Sequence, residues 1–73
     1  MEYDKSAHVR LRIARYVMGY TSIKSFTSQF GLRYHTYSKH ELGDNVISYE
    51  TLFRYAEYLN ISPCWLVTGE GHP

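Results

Sequence analysis

Apolar residues recur along this chain at spacings of three and four with no sustained alternation, and serine and glycine punctuate the segments as they do helices. Five helices follow from the pattern. The first runs from Ser6 or Ala7 to Met18, with Val9, Leu11, Ala14, Val17 and Met18 on an apolar side and Gly19 as its stop. Ser22 caps a second, Ile23 to Phe30, ended by Gly31, a residue suited to the left-handed conformation that follows a helix. A third starts at Arg33 or Tyr34 and ends at Leu42 before Gly43, and Asp44 to Ile47 form a loop. Ser48 caps a fourth, which reaches Tyr58 or Leu59 and places Glu50 in its first turn, where the helix dipole favours a carboxylate. Leu52, Tyr55, Ala56 and Leu59 share one side of it, and Asn60 terminates it. The last helix is short: Ser62 as cap, Pro63 in the first helical position, then Cys64-Trp65-Leu66-Val67 with Gly69 after it. The predicted fold is all-α, a compact five-helix bundle forming a single domain over residues 1–73.

Composition narrows the function classes. At 73 residues the chain buries about 60% of its unfolded surface, enough for one core but not for a second compartment around a substrate cleft. No segment is long and apolar enough to span a bilayer, and Met1-Glu2-Tyr3-Asp4-Lys5 lacks the basic start and apolar run of a signal peptide. A cytoplasmic protein with no membrane partner is expected. Cys64 is the only cysteine, which excludes an internal disulfide and a cysteine-based zinc finger, and it reads as a small, semi-buried residue. His40-Glu41 begins like a metalloprotease helix, but position 44 is aspartate. His8, His35, His40 and His72 have no metal spacing, so neither metal nor cofactor is expected. The eight tyrosines are scattered over several helices and read as core and interface. No catalytic set supports an enzyme.

Net charge is only +1, but its distribution is uneven. Residues 1–40 carry seven lysines and arginines against two carboxylates; residues 41–73 carry one arginine against five carboxylates. One pole can meet phosphate and the other repels it. Chance on a solvated surface produces such a split about as readily, so the positions of the cations decide.

The segment at about 22–42 decides most. Two helices of about two turns are joined by a tight turn containing Gly31, and the second opens with polar residues. This is the anatomy of a helix-turn-helix, whose second helix lies in the major groove, although many helical hairpins share the spacing. In a helix, Tyr34, His35, Ser38 and Lys39 share one face, while Tyr37 turns toward Phe26, Phe30 and Leu32. Lys39 can donate to guanine, His35 can donate to or accept from a base edge, and Tyr34 can meet a thymine methyl or a phosphate.

The runs Arg10-Leu11-Arg12-Ile13-Ala14-Arg15 to Gly19-Tyr20, Ser22-Ile23-Lys24-Ser25-Phe26, Gly31 to Glu41, and Ile61 to Gly71 together resemble the lambda-repressor/Cro-type DNA-binding domain of phage regulators. The resemblance covers roughly residues 8–71. It implies a five-helix fold, binding to double-stranded DNA, and a homodimer on a two-fold symmetric operator. By position it implies base contacts from Tyr34, His35 and Lys39, with Thr36 and Ser38 nearby. Ser22 with the amides behind it, Lys24, Arg33 and Asn45 are the expected phosphate contacts. Arg33 departs from the family's small polar cap or proline and is expected to contact phosphate instead. The resemblance also implies that Arg15 and Glu41 form an ion pair between the first and third helices. The expected function is a prophage- or bacterium-encoded repressor. The alternatives are the antitoxin of a toxin–antitoxin pair, or a helical interaction module without DNA binding. The dimer surface is expected on the last helix and its flanks, from Val67 with Phe53 or Tyr58. No small-molecule ligand is expected, and Gly69 to Pro73 is where a linker to a further domain would begin.

Overall fold

In the computed structural model, which describes residues 7–73, the chain forms α1 (Ala7–Val17), α2 (Ile23–Phe30), α3 (Tyr34–Leu42), α4 (Tyr49–Leu59) and α5 (Pro63–Thr68), with no strand among the described residues. The readings of Met1 to Lys5 and of a helix start at Ser6 lie outside the described residues. Three of the helices begin on a serine whose hydroxyl accepts from an amide of the first turn. Ser22 accepts from Ser25 at 3.0 Å, Ser48 from Thr51 at 3.2 Å and Ser62 from Trp65 at 3.3 Å. Each such cap stabilises its helix by about 1 kcal/mol. At Ser22 the arrangement is reciprocal, because the Ser22 amide donates to Ser25 Oγ. The turn from α2 into α3 depends on Gly31, which sits at φ 65° with its amide donating to the Thr27 carbonyl.

Packing explains how the elements are held. Phe26, Tyr37, Leu11, Ile47, Leu52, Leu59 and Leu66 are the largest fully buried side chains. Phe26 lies 4.9 Å from the Tyr37 ring and 5.2 Å from Phe30, and Tyr37 meets Tyr55 edge-on at 5.2 Å. Aromatic pairs at these separations add about 0.5–1.5 kcal/mol each beyond their buried area. The core therefore joins α2, α3 and α4 through aromatics, while Ala7, Leu11 and Ala14 bring in α1. Arg10 secures α5: its Nε donates to the Leu66 carbonyl at 2.9 Å and its Nη2 to the Val67 carbonyl at 2.8 Å. These are carbonyls near a helix end that would otherwise lack a partner.

The apolar side of α1 is as expected at Leu11 and Ala14 but not at Val17 and Met18. Val17 is 73% exposed and Met18, just past the helix, 45%. Leu11, Ala14 and Arg15 turn inward, so at 3.6 residues per turn Val9, Ile13, Tyr16 and Val17 fall on the opposite side. Cys64 is exposed rather than semi-buried, because it occupies the solvent side of α5 while Leu66 and Val67 face inward. No helix of the described residues is long and apolar enough to cross a membrane.

Candidate nucleic-acid interface

Only two side chains of α3 are buried, Tyr37 and Glu41. Glu41 receives a bidentate fork from Arg15, with Nε donating to Oε2 and Nη2 to Oε1, both at 2.9 Å. Arg15 Nη1 also donates to the Tyr20 carbonyl, so one guanidinium ties the end of α1, the loop before α2 and the last turn of α3. The charge-assisted bonds to Glu41 raise the Arg15 pKa despite burial, so the guanidinium is charged at any pH at which the protein folds. Tyr37 packs beside the pair. Burial, then the Glu41 carboxylate, pushes its hydroxyl well above the ordinary tyrosine value, and Tyr37 Oη has no hydrogen bond of good geometry. A third tie is the 2.8 Å hydrogen bond shared by His40 Nδ1 and Tyr55 Oη, which joins α3 to α4. Burial lowers the His40 pKa and pushes the Tyr55 hydroxyl up to about 12.

The other side of α3 meets solvent. Tyr34 is 46% exposed, His35 and Lys39 are exposed, and Ser38 is half-buried. The Tyr34 and His35 rings meet edge-on at 5.5 Å, which orders the first turn of that surface. Thr36 is exposed too, but it sits on the flank toward α4 with Arg33 and His40 rather than among the other four. Ser22, Lys24, Arg33 and Asn45, the expected phosphate contacts, are all exposed. Ser22 Oγ already accepts the Ser25 amide, which leaves its hydroxyl proton free to donate. Arg33 stands at the N-cap of α3 without a side-chain hydrogen bond, so the first amides of this helix have no side-chain acceptor.

The expected subunit surface needs correction. Val67 is 6% exposed and belongs to the core, because α5 lies with Leu66 and Val67 toward the other helices. Tyr58 is half-buried and stacks on Phe30 at 4.6 Å. Of the three residues only Phe53, at 52%, offers free apolar surface. More is found on the outward side of α1, at Ile13, Tyr16 and Val17.

Sequence reasoning missed Arg10 and the His40–Tyr55 bond as structural elements. Neither carries a local signal, since an arginine on an amphipathic helix ordinarily reads as solvated. Among the described residues no three His, Cys, Asp or Glu side chains gather as a metal site would require. No protein-family model, no curated protein and no solved structure matches this chain.

Proposed function

We propose that this protein is a sequence-specific double-stranded DNA-binding regulator that acts as a homodimeric repressor in the cytoplasm of a bacterium, encoded by the host or by a prophage. The observation that carries the proposal is the division of α3. The helix is fastened to the body by Tyr37, His40 and the Arg15–Glu41 fork, while His35 and Lys39 face solvent with Tyr34 exposed and Ser38 half-buried at their margin. A helix held this way after a short turn from α2 has the anatomy of a helix-turn-helix reader, and its hydrogen-bonding side chains suit base edges in a major groove. The resemblance to lambda-repressor/Cro-type domains supports the same reading. Lys24, Arg33 and Lys39, exposed cations on or beside α2 and α3, supply the attraction to phosphate. One short helix reads few base pairs, so a two-fold dimer with half-sites about 34–36 Å apart is needed for specificity.

Selection of bound duplexes from a random pool, followed by titration of the selected site, tests this. Lys39→Ala and His35→Ala should each weaken the selected site by about 1–3 kcal/mol and relax preference at one position. Arg33→Ala should weaken all sequences alike. Failure to enrich any sequence, or enrichment that Lys39→Ala and His35→Ala both leave intact, would refute the assignment of α3 as reader.

A further inference from the structure

The flank of α3 that faces α4 borders a cavity of about 280 Å³. Arg33 lines it from the turn before α3, Thr36 and His40 from α3, and Thr51, Arg54 and Tyr55 from α4. Its polar groups are two guanidinium groups, the hydroxyls of two threonines and two tyrosines and an imidazole, beside the apolar Leu32, with no carboxylate in the lining. Arg33 makes no cap hydrogen bond, and the α3 amides beside it have no side-chain acceptor. Arg54 is held only by a 3.5 Å contact with Glu50, where both side chains are largely exposed, a pairing that a competing anion readily displaces. Thr51 Oγ1 accepts from Ser48 Oγ at 2.9 Å, so its own proton remains available to donate. His40 is bonded to Tyr55 and its pKa is lowered by burial, so the positive charge of the cleft comes from the arginines.

Two guanidinium groups and threonine hydroxyls that share one lining suit a tetrahedral oxyanion. The cavity lies at the lower bound of about 300 Å³ for pockets that enclose drug-sized molecules. It has room for a phosphate group together with what is directly bonded to it. We propose that the cleft between α3 and α4 is a phosphate-binding pocket in which Arg33 and Arg54 clamp the oxyanion and Thr36 and Thr51 donate to it. The phosphate has two sources: an internucleotide phosphate of bound DNA, which rests on the DNA-binding reading above, or a free phosphate, which does not. Thr36 thereby becomes a phosphate contact rather than a base reader.

The test has two arms. In the first, DNA-free protein is titrated with inorganic phosphate at constant ionic strength while NMR follows the Arg33 and Arg54 Nε–H groups and the Thr36 and Thr51 amides. Arg12, exposed on α1, is the control. Saturable shifts confined to the cleft, and at least tenfold weaker in Arg54→Gln, support the pocket. In the second, the salt dependence of duplex binding is compared for the wild type and Arg54→Gln. A slope of log K against log salt reduced by about 0.9 identifies an internucleotide phosphate as the occupant, with or without shifts from free phosphate. Cleft shifts with an unchanged slope identify free phosphate. Cleft shifts in a protein that binds no duplex leave the pocket standing and remove the DNA-binding reading. Equal shifts at Arg12 and the cleft, or no saturable shift together with an unchanged slope, overturn the pocket.

Discussion

Replacing Glu41 by alanine separates two physical accounts of the same residue. Glu41 is 3% exposed and accepts two hydrogen bonds at 2.9 Å from Arg15, itself 6% exposed. Truncation leaves a buried guanidinium that keeps its bond to the Tyr20 carbonyl but loses both bonds to the carboxylate. Removing one partner of a buried pair costs about 3–5 kcal/mol, most of it from the charge left behind. A chain of this length holds its fold by about 4–11 kcal/mol, so the loss takes a large share of the total. At about 4–8 °C per kcal/mol, the melting temperature should fall by at least about 12 °C. Arg15→Met combined with Glu41→Leu should melt within about 1–2 kcal/mol of the wild type, because it removes both charges and fills their space. Thermal unfolding followed by circular dichroism measures both variants. A titration with DNA adds a second discrimination. Coulomb attraction alone predicts tighter binding once a carboxylate of α3 is gone, whereas an anchoring role predicts weaker binding as the helix loses its seat. The reasoning fails if Glu41→Ala melts within about 4 °C of the wild type, a change of at most about 1 kcal/mol.

Tyr37→Phe removes a buried hydroxyl that lacks a hydrogen bond, a group that costs about 1–3 kcal/mol when unsatisfied, so the variant should melt at or above the wild type. A loss of more than about 1 kcal/mol would show instead that Tyr37 donates to Glu41. Burial lowers the His40 pKa below 6.5, so the unfolded chain binds this proton more readily. The stability this contributes is complete above 6.5 and declines as pH falls through that value toward the folded pKa; urea midpoints at about pH 7.5 and 5.5 should show a gap that His40→Gln narrows. Finally, simultaneous alanine substitution of Tyr34, His35, Ser38 and Lys39 should abolish selective DNA binding. Its stability should nevertheless fall by no more than about 2 kcal/mol, less than in Glu41→Ala, since three of the positions are exposed and Ser38 is half-buried.

The helix boundaries were legible because capping is local. A serine or glycine and its partners lie within four residues, and the observed ends of α2, α4 and α5 depend on such contacts. Likewise α4 has one apolar stripe, and all four of its members are buried. By contrast α1 has apolar residues on two sides, and periodicity alone does not say which side meets the core. Val67 illustrates a different limit, since a helix of six residues is too short for periodicity to distinguish inner from outer positions. Long-range polar ties were invisible. Arg10 bonds carbonyls 56 and 57 residues away, and the His40–Tyr55 bond and the α3–α4 cleft exist only once the two helices are placed. The Arg15–Glu41 pair, 26 residues apart, was anticipated through family resemblance and not through any pattern in the residues themselves.

How α3 is anchored bears on what its outer side can do. An apolar stripe holds a helix by area and tolerates small rotations, because many packings bury similar surface. α3 has no such stripe; it rests on one aromatic ring, one imidazole–phenol bond and one bidentate fork. A guanidinium and a carboxylate meet in two parallel bonds over a narrow range of angles, so the fork constrains rotation about the helix axis as well as distance. Base recognition requires that constraint, since a side chain displaced by about 1 Å loses bidentate hydrogen-bond geometry. The same arrangement keeps the anchoring residues, Tyr37, His40 and Glu41, separate from His35 and Lys39. Under the proposed function, sequence preference can then change at His35 and Lys39 without loss of the contacts that hold the helix.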